Sequence, residues 1–110
     1  MFNRELKKGS AELLVLSLVE QRPRHGYEIG KLIEARSRGR IHFRIGSLYP
    51  ILCRLEDRGF ICGRWVEKPG ERRRRFYRLT PLGRRFLADQ RGIWQEFVVT
   101  INGIVRAENA

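Results

Sequence analysis

Four consecutive arginines, Arg72, Arg73, Arg74 and Arg75, follow a turn at Lys68-Pro69-Gly70-Glu71, with Arg64 close by. Neighbouring like charges repel, so the run costs stability unless a counter-charge offsets it. A phosphate backbone supplies one, and release of its condensed counterions drives association. Alternate strand residues face opposite ways, so only some of the four can meet a polyanion. A second group lies upstream. In the run from Gly46 to Arg58, helical spacing turns Leu48, Ile51, Leu52 and Leu55 inward. It leaves Ser47, Tyr49, Arg54 and Arg58 outward, with Cys53 beside them. A helix entering the major groove needs this division, an apolar back and polar residues forward near its N-terminus. Arg54 has the fork for a guanine edge or a phosphate, and Tyr49 suits a phosphate or a thymine methyl. An ordinary surface helix is amphipathic too, so the helix alone does not decide; the arginine run shifts the balance toward nucleic acid.

Composition points the same way. The 110 residues carry 23 Lys and Arg against 12 Asp and Glu, a formal charge of +11. That balance fits nucleic acid or an anionic surface, whereas a merely solubilising charge would be scattered rather than clustered at 72–75. The length suffices for one modest core, and 42% hydrophobic content predicts packing rather than disorder. Cys53 and Cys62 match no metal spacing, and His25 and His42 complete no ligand set, so no metal or cofactor is expected. Two cysteines without a paired framework fit a reduced, cytoplasmic setting. Lys7 and Lys8 ahead of the run Leu13–Val19 faintly suggest a leader, but Glu12 and Glu20 bracket the run and no small-residue cleavage site follows. The run is too short to span a bilayer and reads as a buried helix. No nucleophile elbow, phosphate-binding glycine loop or zinc set is present, so an enzyme is not expected.

The elements that position these groups follow from local signals. A first helix spans Ser10–Gln21 with Ser10 as cap, apolar on most faces, and stops before Pro23. A second spans Gly26–Arg36, with Ile29, Leu32 and Ile33 on one face and Tyr27 extending it. Alternation at Ile41–Ile45 predicts a short strand. Ser47 then caps a third helix with Pro50 in its first turn, and Gly59 ends it. Strands at 60–67 and 72–79 flank the Lys68–Glu71 turn. Thr80 and Pro81 start a last helix reaching about Arg106. Its stripe of Ile93, Trp94, Phe97, Val98, Ile101, Ile104 and Val105 is longer than the preceding eighty residues can cover. The predicted fold is mainly α with a small β-hairpin: a winged helix-turn-helix at 1–80 and a long C-terminal helix at 81–110.

In this order the chain resembles the PadR family of bacterial regulators. The resemblance rests on Leu6-Lys7-Lys8-Gly9-Ser10, His25-Gly26-Tyr27-Glu28-Ile29, Gly46-Ser47-Leu48-Tyr49-Pro50-Ile51-Leu52, Leu55-Glu56 with Gly59-Phe60-Ile61, and Arg73 to Thr80 with Gly83. The pairing of H-G-Y-E with G-S-L-Y-P is its most specific part. It implies a homodimer in which the C-terminal helix packs on the partner's N-terminal region, through Leu14, Leu18 and the stripe from Ile93 to Val105. It implies a recognition helix reading with Ser47, Tyr49, Pro50 and Arg54, and a wing from Lys68 to Arg75. It further implies a repressor on an inverted-repeat operator, and Trp94 as a stacking platform for a flat aromatic effector. Cys53 stands where many relatives have histidine. Two other functions remain open at this level: a winged-helix protein-interaction module, and a non-specific nucleic-acid binder. The second usually needs several exposed aromatics on a basic surface, and most aromatics here fall at inward positions.

Overall fold

The computed structural model describes residues 2–106. The chain runs α1 (Arg4–Gln21), β1 (Arg24–His25), α2 (Gly26–Arg36), α3 (Ile45–Asp57), β2 (Ile61–Val66), β3 (Arg74–Leu79) and α4 (Pro81–Val105). The antiparallel sheet has the order β1-β3-β2. This is the winged helix-turn-helix with an appended helix that the sequence predicts. The predicted end of the chain, 107–110, lies outside the described residues.

One core holds the three-helix unit and the sheet together. Val15, Leu16, Ile29, Leu48, Leu52, Leu55, Ile61 and Leu87 are its largest fully buried side chains. The inward face predicted for α3, Leu48, Ile51, Leu52 and Leu55, is buried throughout. Helix α3 ends in a paired C-terminal motif. Gly59, at φ +81°, donates to Glu56 O at 2.9 Å, and Phe60 N donates to Leu55 O at 3.0 Å. Thr80 caps α4 by accepting from Gly83 N at 3.0 Å, and its hydroxyl donates to Gly59 O at 2.6 Å. Phe60 and Phe86 stack at 4.1 Å, with the Arg58 guanidinium 4.8 and 5.0 Å from the two rings. These contacts fix the base of α4.

Four local expectations are corrected. Helix α1 starts at Arg4, because Asn3 Oδ1 accepts from Leu6 N at 3.0 Å; Ser10 lies mid-helix and bonds back to Leu6 O at 2.9 Å. Ile41–Arg44 is not a strand, since no strand pairs with it; Ile41 and Phe43 pack on the core from an irregular segment. The third strand is instead the two-residue β1, paired with Tyr77 and Phe76. Helix α3 begins at Ile45, so Ser47 is within its first turn rather than its cap, and Arg44 at the cap makes no side-chain bond. Pro50 falls in the second turn, where it cannot donate to the Gly46 carbonyl.

Helix α4 packs antiparallel on α1 over its first half and then projects. Arg91 reaches Glu20 at 2.8 Å and Ser17 at 3.4 Å, while Trp94 faces Leu13 and Leu14. Beyond Leu87 no residue of α4 is buried, and the molecule extends 64 × 30 × 21 Å.

Candidate nucleic-acid interface

The exposed face of α3 and the wing meet across a groove of about 240 Å³. Its walls are Ile45, Tyr49 and Leu52 of α3, His25, Gly26 and Tyr27 at the start of α2, and Trp65, Arg72–Arg75 and Tyr77 of the wing. The structure therefore brings Tyr49 and the arginine run together. Ser47, Pro50, Cys53 and Arg54 are exposed on α3, outside the groove walls, and Arg54 makes no ion pair among the described residues. Lys68 borders a neighbouring hollow with Arg72, Arg74 and Glu71. The turn beneath it has the Pro-Gly pattern of type II, with Gly70 at φ +76° and Glu71 N donating to Lys68 O at 3.0 Å.

The four arginines are not equivalent. Arg72 and Arg73 precede β3 rather than belonging to it, and both are exposed. Arg73 lies 4.3 Å above the Trp65 ring and 3.8 Å from Glu67. Arg74 is exposed, 5.7 Å from the Tyr27 ring. Arg75 is half-buried: its Nη2 donates to Glu56 Oε2 at 2.7 Å, a bond that holds the guanidinium firmly charged. Its charge is already matched, and among residues 68–75 the positive charge without an ion pair resides on Lys68, Arg72 and Arg74, with Arg64 and Arg78 likewise exposed and unpaired on the strands among the described residues.

Two groove residues escaped the sequence reading. Tyr27 does not extend the apolar face of α2. Two positions from Ile29 is about 200° round a helix, so Tyr27 shares a face with Lys31 and Glu34 and is 55% exposed. Lys31 Nζ lies 5.3 Å from its ring. Trp65 is half-exposed on the inner wall of the wing. Its alternation with Gly63 and Ile61 on one face of β2 was the available signal. Tyr77, on the opposing strand, is buried, and burial pushes its hydroxyl pKa up, helped by Tyr49 and Glu56.

His25 organises the groove's rear. Its Nδ1 accepts from Glu28 N at 3.1 Å, capping α2, as its place before Gly26 suggests. Burial, then the charge of Arg74, lowers its pKa from the ordinary 6.5, against an opposing pull from Glu28. Behind it Arg24, 5% exposed, bonds through each of its three guanidinium nitrogens, to Leu18 O, Glu28 and Gln21 at 2.8–2.9 Å. One arginine of this basic chain is thus a core strut.

A second surface lies at the far end. Ile93, Trp94, Phe97, Val98, Ile101, Ile104 and Val105 are 39–75% exposed along α4. Leu14 is half-buried beside Trp94, whereas Leu18 is 6% exposed in the core of its own protomer and offers little area to another chain. Trp94, with Phe2, Leu6, Lys7, Ser10, Leu13, Leu14 and Ile41, lines an apolar hollow of about 240 Å³. No helix among the described residues is long and apolar enough to cross a membrane.

Residues 15–89 match the transcriptional regulator PadR-like family. The fold is similar to that of a transcriptional regulator from Clostridium thermocellum, with a TM-score of 0.87 and 28% identity over 96% of this chain and 99% of that one. It is similar to a PadR family regulator from Eggerthella lenta, with a TM-score of 0.84 and 28% identity over 94% and 88%. A PadR-like transcription factor from Bacteroides fragilis gives 0.74 and 32% identity over 92% and 95%. With the family match spanning the helix-turn-helix, the wing and the base of α4, the chain belongs to the PadR-like family and is a DNA-binding transcriptional regulator, not an enzyme.

Proposed function

We propose that the protein is a cytoplasmic, sequence-specific regulator that binds an inverted-repeat operator as a homodimer. The carrying observation is the groove in which the Tyr49 face of α3 opposes Arg72, Arg73 and Arg74 of the wing. In this reading α3 enters the major groove, where Ser47, Tyr49, Pro50 and Arg54 meet base edges and adjacent backbone. Lys68 and Arg72 to Arg74 neutralise phosphates along the flank. Residues 1–80 carry DNA contact, and the helix from 81 carries dimerisation. The apolar face of α4, with Leu14, is the surface for a second copy, which sets two recognition helices about a two-fold axis. Two such units covering an operator exclude other proteins from it, which makes repression the simplest mode. The hollow beside Trp94 suits a flat aromatic effector that would alter the spacing of the two halves.

The test is base preference in an Arg54→Ala variant. Loss of a bidentate base contact should cost about 1–3 kcal/mol at one position of each half-site and leave the others unchanged. A variant that keeps the full preference would show that α3 does not read through Arg54.

A further inference from the structure

The recognition helix and the wing share one charged contact among the described residues, and it is partly buried. Glu56, in the last turns of α3, accepts through one oxygen from Arg75 Nη2 at 2.7 Å and from Gly63 N at 2.9 Å. Strand β2 is a free edge of the sheet, so the Gly63 amide would otherwise lack a strand partner. Gly63 has no side chain for a reason: a Cβ there would overlap the Arg75 guanidinium, 2.6 Å from Cζ and 2.8 Å from Nη2. Arg75 thus crosses the face of β2 over a glycine gap and reaches α3, with Trp65 and Tyr77 beside it at 5.6 and 5.9 Å.

We infer that Glu56, Arg75 and Gly63 form a lock that fixes the wing's angle to the recognition helix, so that Arg75 sets sequence specificity as a positioning residue without touching DNA. The inference rests on the operator-binding reading above. Its logic is geometric. Phosphate contacts on the wing hold register only while the wing keeps a fixed distance from the helix that reads the bases. A wing free to tilt still finds phosphates on any duplex, but it no longer holds α3 in register. Loss of the lock therefore lowers specific affinity more than non-specific affinity.

The experiment compares binding to the best duplex from a selection and to a random-sequence duplex, across a salt series. Arg75→Met keeps the apolar stem and removes the charge; Gly63→Ala keeps every charge and displaces the guanidinium. Both should lower the ratio of specific to random affinity about tenfold, which is about 1.4 kcal/mol. Arg75→Met should leave the salt slope on the random duplex unchanged, whereas Arg74→Ala should reduce it by about 0.9. A variant that was merely less folded would lose affinity for both duplexes alike and keep the ratio. A slope that falls in Arg75→Met as in Arg74→Ala would make Arg75 a phosphate contact and overturn the inference, as would an unchanged ratio in both variants. If the wild type prefers no duplex, the operator reading fails rather than the lock. The Gly63 amide then judges the lock separately: Glu56→Ala should speed its hydrogen exchange about tenfold or more, and unchanged exchange overturns it.

Discussion

Replacing Gly83 with alanine inserts one methyl group where α4 crosses the chain leaving α3. The new Cβ would overlap the Phe60 carbonyl oxygen and lie 2.8 Å from Phe60 C and 2.9 Å from Leu79 Cδ1. Two of these atoms are backbone, so no side chain can swing aside, and the helix start must shift. That carbonyl accepts from Thr80 N and from Thr80 Oγ1, both at 3.1 Å, so the shift weakens the cap as well. Overpacking costs about 1–3 kcal/mol, and each weakened hydrogen bond about 1 kcal/mol. Alanine's better helix propensity returns about 1 kcal/mol. The net loss is about 2–4 kcal/mol, or about 10–20 °C in melting temperature for a chain of this size. Gly92 is the internal control. It lies on the same helix, on the side away from the apolar stripe, with nothing within 4 Å. Gly92→Ala should raise stability by about 0.5–1 kcal/mol. The assay is urea unfolding at one fixed protein concentration. A Gly83→Ala variant as stable as Gly92→Ala would refute the close approach of α4 to Phe60.

Three further outcomes follow from the same structure. Ile101→Glu places a charge within the exposed apolar face of α4; sedimentation should show a dimer dissociation constant raised about thirtyfold or more, the ~2 kcal/mol of a hot-spot position, and an unchanged constant would move the interface elsewhere. His25 titrates below its ordinary 6.5 when folded, chiefly through burial, so the unfolded chain binds the proton more readily. Its contribution is fully present above that value and is lost as pH falls through it toward the lowered folded pKa. Between about pH 7.5 and about pH 5.5, His25→Asn, which still caps α2, should lose less stability than wild type; equal losses would contradict the neutral cap. Arg24→Leu removes the buried bonds to Leu18 O, Gln21 and Glu28, while Glu28 keeps its ion pair with Arg22; its unfolding free energy should fall by about 1–3 kcal/mol, and an unchanged value would mean that Arg24 is not a core strut.

The large elements were legible because their signals are local. Thr80-Pro81 announces α4, Gly59 closes α3, and the spacing of Leu48, Ile51, Leu52 and Leu55 fixes which side of α3 is buried. The misreadings share a different cause. Strand β1 is two residues long and exists only because β3 offers it an edge, which no local pattern records. The alternation at Ile41–Ile45 reflects two inward anchors, Ile41 and Phe43, on a segment with no partner strand. Asn3 caps α1 by accepting from Leu6 N, and the helix runs on through Gly9, so Ser10 falls inside it. At the candidate site, charge was legible and its assignment was not. Nothing in four successive arginines tells that Arg75 turns to Glu56, nineteen residues away, or that Arg24 is buried in the core. Tyr27 was within reach, since the helical wheel that groups Ile29 with Leu32 and Ile33 already sends it to the other side.

Selection of bound duplexes from a random pool, run at moderate and at high salt, tests the central claim most directly. The account predicts enrichment of an inverted repeat whose half-sites lie about one helical turn apart or a multiple of it, with affinity that falls steeply as salt rises. Binding that vanishes with salt and enriches no sequence would contradict it.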